Sequence, residues 1–73
     1  MNTAALQIVL VNGKPIEVGL DASLGGVLHK MGFGDKRGVA AAVNDAVVRR
    51  SEWNAKILSA GDRVLVIQAT QGG

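Results

Sequence analysis

The sequence has no cysteine and no tyrosine, and only one histidine and one proline among its 73 residues. Without cysteine, no disulfide can staple the fold and no thiolate can hold a metal. A single imidazole, His29, cannot build a zinc cluster, so no metal is expected. Aromatics make up only 3% of the chain, namely Phe33 and Trp53. Charged residues interrupt the apolar segments well before bilayer length, so no membrane span is expected. Eight basic and six acidic residues leave a formal charge of +2. That is too weak for the basic stripe of a nucleic-acid reader. The start, Met1 to Ala5, lacks the basic opening of a signal peptide and reads as an unstructured extension. A cytoplasmic protein is expected, with no nucleic-acid and no membrane partner.

What the chain does have is aliphatic residues, since hydrophobics are 48% of it. A chain this short forms one domain with a small core, so residues 1–73 are read as one unit. Leu6 to Val11 is short, β-branched and apolar on both faces, which suits a central strand. Asn12-Gly13 follows, a strong hairpin signal because both positions tolerate φ > 0. Lys14 to Val18 alternates, and Pro15 places it at a sheet edge. Ser23 is an N-cap candidate. Leu24, Val27, Leu28 and Met31 then form one helical stripe. Gly25 and Gly26 lower helix propensity, and their expected role is a close approach of helix to sheet.

Gly32, Gly34 and Gly38 predict a loop. Val39 to Val43 and Ala46 to Val48 predict a third and a fourth strand about the turn Asn44-Asp45. Ser51-Glu52-Trp53 predicts one helical turn capped by Ser51, with Trp53 closing one end of the core. Ile57-Leu58 reads as a small apolar plug, Gly61-Asp62 as a turn and Arg63 to Ala69 as a fifth strand. This order gives an α+β domain, a mixed sheet of about five strands with one main helix on one face. The first and last strands are expected to be parallel, central neighbours, the ubiquitin-like β-grasp arrangement.

No catalytic residue is expected. The carboxylates fall mostly in turns and at strand edges, and no apolar pocket pairs them for general acid–base work. Ser23 has no partner base, and His29 lies off the apolar stripe. On the fifth strand, Val64 and Val66 share one face while Leu65 and Ile67 share the other. A single helix covers one face only. Leu65 and Ile67 are therefore expected on an open face beside Ala40 and Ala42, as a partner-binding patch. Arg49 and Arg50 read as a solvated pair, available to an acidic partner surface.

After the fifth strand come Thr70, Gln71, Gly72 and Gly73. They read either as a frayed terminus or cloning scar, or as a working tail. Two residues without Cβ thread a narrow channel easily, and four extended residues reach about 13 Å.

The stretch Ala42 to Trp53, A-V-N-D-A-V-V-R-R-S-E-W, resembles the bacterial sulfur carrier proteins of thiamine biosynthesis. Those carry V-N…V-P-R-x-x-W, then L-x-x-G-D-x-V, then a terminal Gly-Gly. Leu58 to Val64 and Gly72-Gly73 fit the later parts, and the opening strand, Asn12-Gly13 and Ser23-Leu24 fit as well. The departure is read at Val48, in place of the family's proline. The resemblance implies a protein co-substrate rather than an enzyme. A ubiquitin-activating-like adenylyltransferase would use ATP and Mg to adenylate Gly73, the covalent site, with Gly72 giving steric access. A persulfide sulfur donor would supply sulfur, leaving a thiocarboxylate that thiazole synthase consumes. The carrier itself would bind no cofactor. The small subunit of molybdopterin synthase, a non-covalent β-grasp adaptor and a protein-conjugating modifier remain alternatives.

Overall fold

The computed structural model describes residues 5–69. The predicted Met1–Ala5 extension, apart from Ala5, and the segment 70–73 lie outside the described residues.

Strand β1, Leu6–Val11, and strand β2, Lys14–Gly19, form an antiparallel hairpin. Its turn is Asn12-Gly13, with φ of 52° and 86°. Those values are the left-handed conformation that Asn and Gly enter most readily. Helix α1, Leu24–Lys30, starts at Ser23, whose hydroxyl accepts the Gly26 N–H at 3.0 Å. Strands β3, Val39–Val43, and β4, Ala46–Val48, form a second antiparallel hairpin. A 3₁₀ turn covers Arg50–Ala55, and strand β5, Arg63–Gln68, follows.

The sheet order is β2-β1-β5-β3-β4. As expected, β1 and β5 are parallel neighbours and β2 is an edge. The β1–β5 pairing is short, spanning Leu10↔Arg63 and Val11↔Val64, whereas β5 pairs with β3 over five residues. The result is the five-stranded mixed sheet with one helix, a β-grasp arrangement.

The core lies between sheet and helix. Val9, Val11, Val64, Val66, Ala41 and Val43 reach it from the three inner strands. Leu24, Val27 and Leu28 of α1 join them, together with Trp53 of the 3₁₀ turn and Leu58. The Trp53 indole N–H donates to the Val48 carbonyl at 2.9 Å, so the ring is buried with its one polar atom satisfied.

Several local expectations differ from the structure. Met31 is 40% exposed, because the helix stops at Lys30 and Met31 occupies its C-cap. The buried glycine of α1 faces the 3₁₀ turn rather than the sheet. A Cβ on Gly25 would overlap the Asn54 side-chain oxygen and stand 3.1 Å from the Asn54 backbone nitrogen. The 3₁₀ turn begins at Arg50 after an extended Arg49, so Ser51 lies inside the turn and caps nothing. Of the plug, Leu58 is buried but Ile57 is exposed, because Ile57 pairs its backbone with Ser23 and turns its side chain outward. β5 ends at Gln68, one residue before the expected Ala69.

Candidate functional site: the open sheet face and the end of β5

Side chains alternate across a strand, so the residues that do not face α1 share the other face. Leu65 and Ile67 are there, 51% and 56% exposed. Their cross-strand partners are Ala42 and Ala40, as the spacing predicted. The small methyls leave the two larger side chains standing proud. Leu6 and Ile8 of β1 and Val47 of β4 extend the patch, and all three are exposed. Sequence reasoning missed these three. The alternation of Leu6 and Ile8 with buried Val9 and Val11 was the signal that could have found them.

A groove of about 380 Å³ crosses this face between Leu10, Ala42 and Leu65. At its rim Arg63 and Asp45 form an exposed ion pair at 3.1 Å. Such a pair contributes only about 0–1 kcal/mol to stability. It does mark the patch with one cation and one anion.

Arg49 and Arg50 are both exposed, but they are not a solvated pair. The Arg50 guanidinium lies 4.7 Å from the Trp53 ring centroid. It also donates to the Gly34 carbonyl at 3.0 Å and to the Lys36 carbonyl. Arg50 therefore ties the loop after α1 to the 3₁₀ turn, and only Arg49 keeps the solvated character expected of both.

Two asparagines hold β5. The Asn12 amide accepts the Val66 N–H at 2.8 Å and donates to the Val66 carbonyl at 3.3 Å. The Asn44 amide accepts the Arg63 N–H at 2.9 Å and donates to the Asp62 carboxylate at 2.9 Å. That carboxylate also accepts the Ser59 N–H at 2.8 Å. The backbone bond from Ser59, helped by Asn44 and nearby Lys56, holds the Asp62 pKa below the ordinary carboxyl value. Among the described residues no cluster of three metal-ligating side chains occurs, and no helix is long and apolar enough to cross a membrane. Gly72 and Gly73, the predicted covalent end, lie outside the described residues.

Residues 9–73 match the sequence profile of the ThiS family. The chain belongs to the ThiS family. The crystal structure of a thiamine biosynthesis protein (ThiS) from Geobacter metallireducens superposes with a TM-score of 0.76 at 25% identity. The match covers 92% of this chain and 100% of that one. An NMR solution structure of a thiamine biosynthesis protein from the same organism gives a TM-score of 0.73 at 23% identity, covering 92% of this chain and 88% of the other. No curated protein matches the chain significantly.

The motif spacing of the resemblance places the proline differently from the reading at Val48. Counted back from Trp53, the V-P-R-x-x-W spacing puts Arg50 at the family's arginine and Arg49, not Val48, at its proline. Arg49 has φ −64°, the value to which a proline ring locks the backbone.

Proposed function

We propose that this protein is a sulfur carrier of thiamine biosynthesis whose reacting group is the α-carboxylate of Gly73. The observation that carries this reading is the family match, which runs through the core strands and includes Gly72-Gly73. The open apolar face beside β5 supports it, because a carrier must be gripped by enzymes that perform its chemistry.

The chemistry follows from the weakness of a carboxylate as an electrophile. A ubiquitin-activating-like adenylyltransferase, using Mg-bound ATP, lets the Gly73 carboxylate oxygen attack the α-phosphorus, and pyrophosphate leaves. The acyl carbon now carries AMP as a good leaving group. The terminal sulfur of a persulfide donor attacks that carbon and AMP departs. A thiol then reduces the resulting S–S bond, leaving the thiocarboxylate that thiazole synthase consumes. Nucleotide, metal and acid–base groups all belong to the partners. This chain supplies the tail, with Gly72 free of a Cβ that would obstruct a narrow channel. It also supplies the docking face, centred on Leu65 and Ile67 with Arg49 nearby in sequence to the 3₁₀ turn.

Intact-protein mass spectrometry tests the reading. After incubation with the adenylating enzyme, ATP and a persulfide source, the mass should rise by the replacement of one oxygen by sulfur. The change should map to the C-terminal fragment. Deleting Gly73 should abolish it, since the reach shortens by about 3.5 Å. An unchanged wild-type mass with the cognate enzyme would reject the carrier and favour a non-covalent adaptor.

A further inference from the structure

Strand β5 runs past the end of its parallel neighbour. β1 stops at Val11, opposite Val64, so no strand residue of β1 stands beside Val66. The Asn12 backbone N–H donates to the Val64 carbonyl at 2.8 Å. Its side chain then continues the ladder, accepting from and donating to Val66. On the other edge the Ala69 N–H donates to the Gly38 carbonyl at 2.9 Å. Gly38 has φ 73°, and a Cβ there would stand 3.3 Å from the Ala69 carbonyl oxygen. Val66 is thus held from both sides, by Asn12 and by β3, while Ala69 is held on the Gly38 side.

Resting on the carrier reading above, we infer that Asn12 is a positioning residue for the reaction at Gly73. The turn itself needs only a residue that tolerates positive φ, and glycine does so best. The amide adds something different, a two-point grip on β5 three residues before Ala69. Four residues separate Ala69 from the reacting carboxylate. The strand's end is the point from which those four residues start, so a shift of β5 at Val66 shifts that starting point. Misplacement of about 1 Å can cost a reaction about a hundredfold. The grip therefore fixes β5 at Val66, ahead of the segment that leads to Gly73, while docking is left to the open face.

The fold contains its own control. Asn44 also sits in a hairpin turn at positive φ, 51°, and also grips β5, but at Arg63, the end remote from the tail. Asn12→Gly and Asn44→Gly each keep a turn-compatible residue and remove one grip. The experiment measures Tm, amide hydrogen exchange at Val66 in the free domain, and kcat and KM for ATP–pyrophosphate exchange with the adenylating enzyme. Asn12→Gly should speed Val66 exchange at least tenfold, lower kcat at least tenfold and leave KM within twofold. Asn44→Gly should lower Tm by a similar amount with kcat within twofold. Asn12→Asp, which keeps the acceptor for the Val66 N–H, should recover part of the kcat. Equal kcat losses in both glycine variants, or an unchanged kcat in Asn12→Gly, would overturn the positioning role alone. A wild-type domain that the enzyme does not adenylate would overturn the carrier reading and this role together.

Discussion

Val64 and Leu65 are adjacent residues of one strand with opposite surroundings. Val64 is 2% exposed and packs under α1; Leu65 is 51% exposed on the bare face. Both are aliphatic, so hydrophobicity does not distinguish them. What differs is what stands opposite. On the covered side the buried strand residues share one core cluster with residues of α1, the 3₁₀ turn and Leu58. On the open side Leu65 and Ile67 stand opposite the small side chains of Ala42 and Ala40. One face is apolar because the fold requires it. The other is apolar in water, at a solubility cost that a partner's docking would relieve.

The sharpest way to break this comparison is to place one charge on each side. Val64→Asp buries an unpaired carboxylate and should cost about 4 kcal/mol or more, enough to unfold a domain of this size. Leu65→Asp should leave Tm within a few degrees while weakening association with the adenylating enzyme. Thermal melts and a binding titration on both variants decide the matter; a Leu65→Asp variant that unfolds would reverse the assignment of faces.

A smaller effect tests how tightly the covered layer is packed. Gly25→Ala should gain about 1 kcal/mol of helix propensity but lose about 1–3 kcal/mol to overpacking against Asn54. Denaturant titration should therefore show net destabilisation. Adding Asn54→Ala should recover part of it, because the side-chain oxygen is the nearest obstacle.

Smaller still, and of opposite sign, is Arg49→Pro. Its φ already fits a proline ring, and among the described residues its N–H makes no hydrogen bond. The change should stabilise by about 0.4–1 kcal/mol by restricting the unfolded chain, visible as a Tm raised by a few degrees. A lowered Tm would show that the proline position is not Arg49.

The weakest test uses acid. The folded Asp62 carboxyl has a pKa below its unfolded value. Its contribution is therefore present above the unfolded pKa and is lost as pH falls through the folded one. Stability of the wild type should decline more steeply below about pH 4 than that of Asp62→Asn. Parallel slopes would show that the bonds from Ser59 and Asn44 carry no net stability.

Much of this architecture is legible in local pattern. Alternation along β5 separated Val64 and Val66 from Leu65 and Ile67. Asn12-Gly13 marked the hairpin, and Ser23 marked the helix start. Features set by distant residues were not legible. The grip of Asn12 on Val66 spans 54 positions. Arg50 looked solvated because its acceptors, the carbonyls of Gly34 and Lys36, reach it only after the loop folds back. Gly25 looked like a helix–sheet spacer because nothing in its neighbourhood announces Asn54. The chemistry proposed at Gly73 rests on resemblance, since a carboxylate and a missing side chain do not by themselves name a reaction.

The position of β5 has a consequence for how the molecule is made. The strand at the centre of the sheet is the last of the five described strands to be synthesised. Until Val64 and Val66 emerge, the β1–β2 hairpin and the β3–β4 hairpin have no common neighbour, and the helix has no complete surface to cover. Contacts between β1 and β5 join residues more than fifty positions apart, which favours slow closure. Completion of the sheet thus waits until β5 has emerged from the ribosome. A chain cut short before Arg63 has no centre and would be left to proteases. A folded domain is in this way a molecule that already carries the strand from which its tail departs.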